Sequence, residues 1–230
     1  MPVLHVHHRD ASIQVTIRLT RFIADWPAAQ QKFIGGIADR FSIGPGSFSV
    51  TPGLSLDDLR CRCQLFGGAC SIVLSPDVLS LNFANVGRRA HPQVIETVRR
   101  SLEWLAAALG ENGRDSISFT TSAHMEATDS TAVDAYLGQF VRGDVDRIMR
   151  SEPGAKHLPS TRIVCSDENG RWMLLRVVEK SMSLESGVFV DTRVEIRSPD
   201  PAAFDDHVAL LDRLDGLADR LVGLQPEDDQ

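Results

Sequence analysis

The chain has 230 residues, of which 43% are hydrophobic and 24% charged, and its formal net charge is −7. These are ordinary values for a globular protein, and no apolar run approaches the roughly 20 residues of a membrane span. The first ten residues lack the basic start and apolar centre of a signal peptide, so cytoplasm is the expected location. The negative balance argues against a general attraction to nucleic acid or anionic membrane, although a local basic face survives such an average. Lys32, Lys156 and Lys180 are the lysines, so the cationic charge is nearly all arginine. A GC-rich genome explains that bias, as would selection for bidentate anion recognition.

Ile13, Val15, Ile17 and Leu19 alternate with Ser12, Gln14, Thr16 and Arg18, the period-two pattern of a half-buried strand. Asp25 is placed to cap a helix with Pro27 near its start and Phe33, Ile37 and Phe41 inward, while Gly35-Gly36 weakens it. The glycines and prolines from Gly44 to Gly53 read as loop. A meander follows. Leu59, Cys61, Cys63 and Leu65 alternate with Arg60, Arg62 and Gln64. Gly67-Gly68 reads as a two-residue hairpin turn, and Cys70, Ile72 and Leu74 continue the pattern. Ser75-Pro76-Asp77 turns the chain into Leu79, Leu81 and Phe83. A long helix starts near His91-Pro92, carries Val94, Val98, Leu102, Leu105 and Leu109, and stops at Gly110.

The same order recurs from residue 116. Ile117, Phe119, Thr121, Ala123 and Met125 face one way, with Ser116, Ser118, Thr120, Ser122 and His124 opposite. Asp129 or Ser130 can cap a helix bearing Val133, Leu137, Phe140 and Val141. Residues 143–160 read as a flexible insert with a short helical stretch at Val145–Met149. Strands follow at Arg162–Cys165, Arg171–Glu179 and Val188–Ile196. A second long helix begins near Pro201, with Leu210, Leu214, Leu217, Leu221 and Leu224 inward, and frays into an acidic tail at 225–230. The expected fold is therefore α+β. Two βαβββα-like halves, 1–110 and 111–230, share one antiparallel sheet beneath two long helices in a pseudo-symmetric body.

The side chains that carry chemistry do not form a convergent set. Cys61, Cys63 and Cys70 point to the apolar strand face, where small thiols are ordinary core residues, and the one-residue spacing of Cys61 and Cys63 is short for zinc. His5 and His7 share one face of a strand and could hold a metal, but no carboxylate or cysteine is evident nearby, and a frayed or edge terminus accounts for them. His124 sits near Glu126 on a polar strand face, suited either to acid–base work or to simple solvation. The pairs Asp57-Asp58 and Asp205-Asp206 flank element starts, where negative charge suits a helix N-terminus. No nucleophile elbow, P-loop, dinucleotide fingerprint or paired-histidine zinc motif occurs. No cofactor and no metal is implied, and the chain reads as lacking a catalytic motif.

The outward strand face carries Arg18, Arg60, Arg62, Arg162, Arg193 and Arg197 among serine, threonine and amide side chains. Together with His124 these arginines are the candidate ligand or partner surface. A solvated sheet face has the same pattern, and the scarcity of strand aromatics weakens a single-strand nucleic-acid case. The stretch Trp172–Val178, apolar on both faces, reads as central and covered or as part of a subunit interface.

Three segments carry a resemblance: Ile17-Arg18-Leu19-Thr20-Arg21-Phe22, the run Leu74–Phe83 before a long helix, and Leu210–Leu221. Together they resemble a sporadically distributed bacterial family of uncharacterised proteins of similar length. His91-Pro92 stands where that family has an aromatic residue. The resemblance implies no activity and no site residues. The element order is also similar to saddle-shaped or helix-grip sheets, which implies fold alone. The expected function is a non-enzymatic cytoplasmic binding or assembly protein, with a protein partner or self-association. The alternatives are a small-molecule enzyme with a site between sheet and helices, where His124, Glu126 and Arg62 are the suspects, and nucleic-acid binding through the arginine-bearing face.

Overall fold

The computed structural model describes residues 3–51, 55, 58–87, 91–109, 114–129, 131–141, 159–197, 199 and 204–227. The Val145–Met149 stretch, nearly all of the expected insert, the caps at Ser130 and Gly110, and the Pro201 helix start lie outside these residues. The fold is α+β, with a large, almost wholly antiparallel sheet and four helices among the described residues. In chain order the strands are β1 (Leu4–Leu19), β2 (Phe48–Thr51), β3 (Arg60–Leu65), β4 (Cys70–Leu74), β5 (Val78–Phe83), β6 (Arg114–Ala127), β7 (Ser160–Ser166), β8 (Trp172–Lys180), β9 (Gly187–Arg197) and β10 (Leu224–Pro226). The helices are α1 (Trp26–Phe41), α2 (His91–Leu109), α3 (Ala132–Gly138) and α4 (Phe204–Val222). The strand order is β2-β3-β4-β5-β1-β6-β9-β8-β7, with β10 parallel to the start of β1. No described helix is long and apolar enough to cross a membrane.

The period-two pattern decides which side of the sheet is dry. Ile17 pairs with Leu79 and Ile117, and Ile117 with Ile196, so the apolar residues of four strands fall on one face. Val98, Leu105, Phe33, Ile37, Leu214 and Ala218 from the helices join Val15, Ile17, Cys61, Ile72, Leu81 and Ile117 in one core. A second cluster forms around Leu4, Val6, Tyr136, Leu137, Val178 and Val222. The Tyr136 hydroxyl donates to the Val222 carbonyl at 2.8 Å, tying α3 to the end of α4. Asp25 caps α1 as expected, its carboxylate accepting from the Ala28 amide at 3.2 Å. Cys61, Cys63 and Cys70 are fully buried.

Several expectations change. The stretch assigned to loop holds a short 3₁₀ turn at Pro45–Ser47 and the edge strand β2, which pairs with β3. Its alternation is too short to stand out in sequence. The β3–β4 connection is not a two-residue turn. Leu65 pairs with Cys70, and Phe66, Gly67 and Gly68 all take left-handed conformations between them. The histidine-rich start is not frayed: β1 runs from Leu4, flanked there by β6 and β10. The tail does not simply fray either, because Gly223 (φ 73) breaks α4 and Leu224 enters the sheet. The inward stripe of the last helix holds except at one position: Leu214 and Leu224 are buried, and Leu210 and Leu217 pack against the core. Phe204, Leu214, Ala218 and Val222 are buried, whereas Leu221 is exposed.

Candidate functional site

A cleft lies over the central strands β1, β6 and β9, walled by α2 and α4, and encloses about 240 Å³. Its floor is made by Ile13, Phe119, Thr121, Ala123, Val190, Thr192 and Val194, and its roof by Val94, Val98, Phe204, Val208 and Leu211. Strand alternation supplies the floor, and the i, i+3, i+4 spacing on the two helices supplies the roof.

One wall is charged. Arg176 of β8 stands on the inward register between Leu174 and Val178, and its side chain is 3% exposed. Its Nε donates to Thr192 Oγ1 at 3.0 Å, one Nη donates to Asp215 Oδ1 at 2.8 Å, and the other donates to Asp219 Oδ1. A buried guanidinium requires such partners, since an unpaired charge in an apolar core costs several kcal/mol. Asp215 and Asp219 are one helical turn apart, so both reach the same fork. This ion triad ties α4 to β8.

The residues expected to form a partner surface lie on the other side of the sheet. Arg18, Arg60, Arg62, Arg162, Arg193 and Arg197 are all exposed, on the register face opposite the core. Arg193 donates to Ser118 Oγ at 3.0 Å and Glu195 at 2.9 Å. His124 is half-buried on that face, its Nδ1 2.9 Å from Ser181 Oγ and its ring 5.0 Å from that of Phe189. The suspected trio does not converge. His124 and Glu126 share β6, but Arg62 is on β3, with β4, β5 and β1 between, a lateral separation of about 19 Å at the usual strand spacing. None of the three lines the cleft.

The carboxylate missing from the sequence-level view of the N-terminal histidines is Glu227. His5 Nδ1 lies 3.1 Å from its Oε1 and His7 Nε2 3.3 Å from its Oε2. Among the described residues, no group of three or more histidine, cysteine or acidic side chains is arranged to hold a metal ion. Burial pushes the thiols of Cys61, Cys63 and Cys70 up to about 11, 12 and 12, which makes them poor nucleophiles.

Sequence reasoning missed Arg176, Asp215 and Asp219. The available signal was an arginine on the inward register of a strand and two aspartates at i, i+4 on the facing helix. No protein-family model matches the chain, and no curated protein matches it.

Proposed function

We propose that the protein is a non-enzymatic binding protein whose ligand, a small and mainly apolar molecule, sits in the cleft between α2 and α4. The observation that carries this reading is the cleft of about 240 Å³, whose floor and roof are mainly aliphatic and aromatic beside one charged wall. A ligand that fills the cleft takes its apolar wall out of water, at roughly 25 cal/mol per Å². Arg176, the one buried ionic group on the wall, is engaged by Thr192, Asp215 and Asp219, and this supports a structural rather than a catalytic role for it.

The test is titration with a neutral apolar dye, N-phenyl-1-naphthylamine, followed by fluorescence and thermal shift. Saturable binding at one per chain, abolished by Ala123→Phe in a folded variant, is expected. No saturable binding, or undiminished binding by a folded Ala123→Phe protein, overturns the reading.

The two halves are read as an internal duplication in a cytoplasmic protein. Supporting this, the strand order runs outward as β1-β5-β4-β3 on one side and β6-β9-β8-β7 on the other. The likeness to the sporadically distributed bacterial family belongs to the same proposal. Self-association through β7 and β8 is a second reading, favoured by exposed Val164 and Met173 on their outer face. Sedimentation equilibrium that finds only a 25.2 kDa species overturns it.

A further inference from the structure

The strand register gathers charge that the linear sequence scatters. Cys61 pairs with Leu74, Leu74 and Ile17 each with Leu79, Ile17 with Ile117, and Ile117 with Ile196. One step toward the same end of the sheet, Arg60, Arg18 and Arg197 therefore stand in a single line across β3, β1 and β9. Five strand intervals separate the outer two, a span of about 24 Å. Arg62 stands one line further in, on the same face. All four side chains are exposed. Among the described residues no carboxylate pairs with Arg18, Arg62 or Arg197, and Arg60 donates only to the Leu59 carbonyl beside it. Exposed Asp77 and Asp115 flank the line beside Val78 and Ser116, Asp77 Oδ1 accepting from Ser75 Oγ at 3.4 Å, and Glu195 in the next line is engaged by Arg193.

The net charge of −7 is an average over two unlike sides. Asp205, Asp206, Asp212, Asp215 and Asp219 all belong to α4, whose buried face packs on the opposite side of the sheet from the arginine line. We propose that the line Arg60–Arg18–Arg197, with Arg62, is a binding surface for the phosphate backbone of a nucleic-acid duplex.

The chemistry selects this partner. Arginine forks match phosphate oxygens bidentately. Between them stand Ser75, Val78 and Ser116, with Thr16, Ser80 and Ser118 in the next line; Ser75, Ser116 and Ser118 are buried, so the half-buried Thr16 and Ser80 supply the hydroxyls open to phosphate or sugar. A protein partner needs a desolvated apolar or aromatic centre, and these two lines hold only Val78 and Val73. Nucleic-acid interfaces are instead polar and positive. The lines carry no aromatic ring for a base to stack on, which favours backbone contact on a duplex over a single strand. Recognition is therefore independent of sequence.

Fluorescence anisotropy with a labelled 20-base-pair duplex, the matching single strand and polyglutamate tests this. Duplex binding at about 30 mM salt is expected, with log affinity falling against log salt at a slope of about −3. Arg18→Ser/Arg60→Ser/Arg197→Ser should weaken it at least about tenfold, with an unchanged melting temperature, and Arg18→Ser alone should weaken it measurably. Arg213→Ser, an exposed change on α4, should leave it intact. No duplex binding at low salt, equal binding by the triple variant, or equal or tighter binding of single strand or polyglutamate overturns the proposal.

Discussion

The indole of Trp104 lies against the backbone of Gly36, where a β-carbon would occupy the same space as Cδ1 and Nε1 of the ring. The indole N–H donates to the Lys32 carbonyl at 3.2 Å, and the ring meets Phe33 edge-on at 5.3 Å. The glycine pair that weakens α1 as a helix is thus split in purpose. Gly36 admits α2, whereas nothing lies within 4 Å of a β-carbon at Gly35. Gly36→Ala is expected to destabilise the fold by about 1–3 kcal/mol through overpacking. Gly35→Ala is expected to stabilise it by about 0.5–1 kcal/mol through helix propensity. Urea denaturation of both variants checks this, and equal signs for the two would contradict it.

The triad at Arg176 should respond unequally to loss of its two carboxylates. The Asp219 side chain is 16% exposed and that of Asp215 61% exposed. Asp219→Ala leaves a buried guanidinium short of a partner and is expected to cost about 3–5 kcal/mol. Asp215→Ala removes a screened contact and should cost less than about 1 kcal/mol. Arg176→Met combined with Asp219→Leu should lose less than Asp219→Ala alone, because no buried charge is then unpaired. Equilibrium unfolding of the three proteins decides the ranking.

Stability should fall at alkaline pH through the core thiols. Burial raises Cys61 from 9.0 to about 11, and burial aided by a neighbouring thiol raises Cys63 and Cys70 to about 12. Unfolded thiols ionise near 9 while the folded ones stay neutral. Their contribution is therefore full below pH 9 and is lost as pH climbs toward 11–12. Denaturation midpoints should drop between pH 8.5 and 10.5, and drop less in a Cys61→Ala/Cys63→Ala/Cys70→Ala protein. The same burial predicts that a thiol reagent labels at most Cys165 of the four cysteines until denaturant is added.

Tyr136→Phe removes the hydroxyl that donates to the Val222 carbonyl across 86 residues of chain. The loss should be about 1–2 kcal/mol, and hydrogen exchange should speed up at the end of α4 and in β10. An unchanged exchange pattern there would separate α3 from the anchoring of α4.

What was legible in the sequence followed period. Ile13 to Leu19, Ile117 to Met125 and Val188 to Ile196 alternate cleanly, so their strands, their buried face and the outward arginines could be read directly. Asp25 and Pro27 marked the start of α1 in the same way. Other features depend on partners distant in the chain. β2 and β10 have four and three residues, too few to show a period, and exist because β3 and β1 offer edges. The charged side of α4 finds its partner in Arg176, some forty residues earlier. The line of arginines is a product of register across β3, β1 and β9, and no local pattern encodes register between strands so far apart.

The seam between β1 and β6 has a kinetic consequence. Ile17 meets Ile117, so during translation β1, the longest of the described strands, waits about a hundred residues for its mate, or about 5–20 s at ordinary ribosome speed. Until then it offers newly made chain an unclosed side of backbone amides and carbonyls. Assembly is therefore a late event governed by long loop closure, and it belongs to the slow end of single-domain refolding.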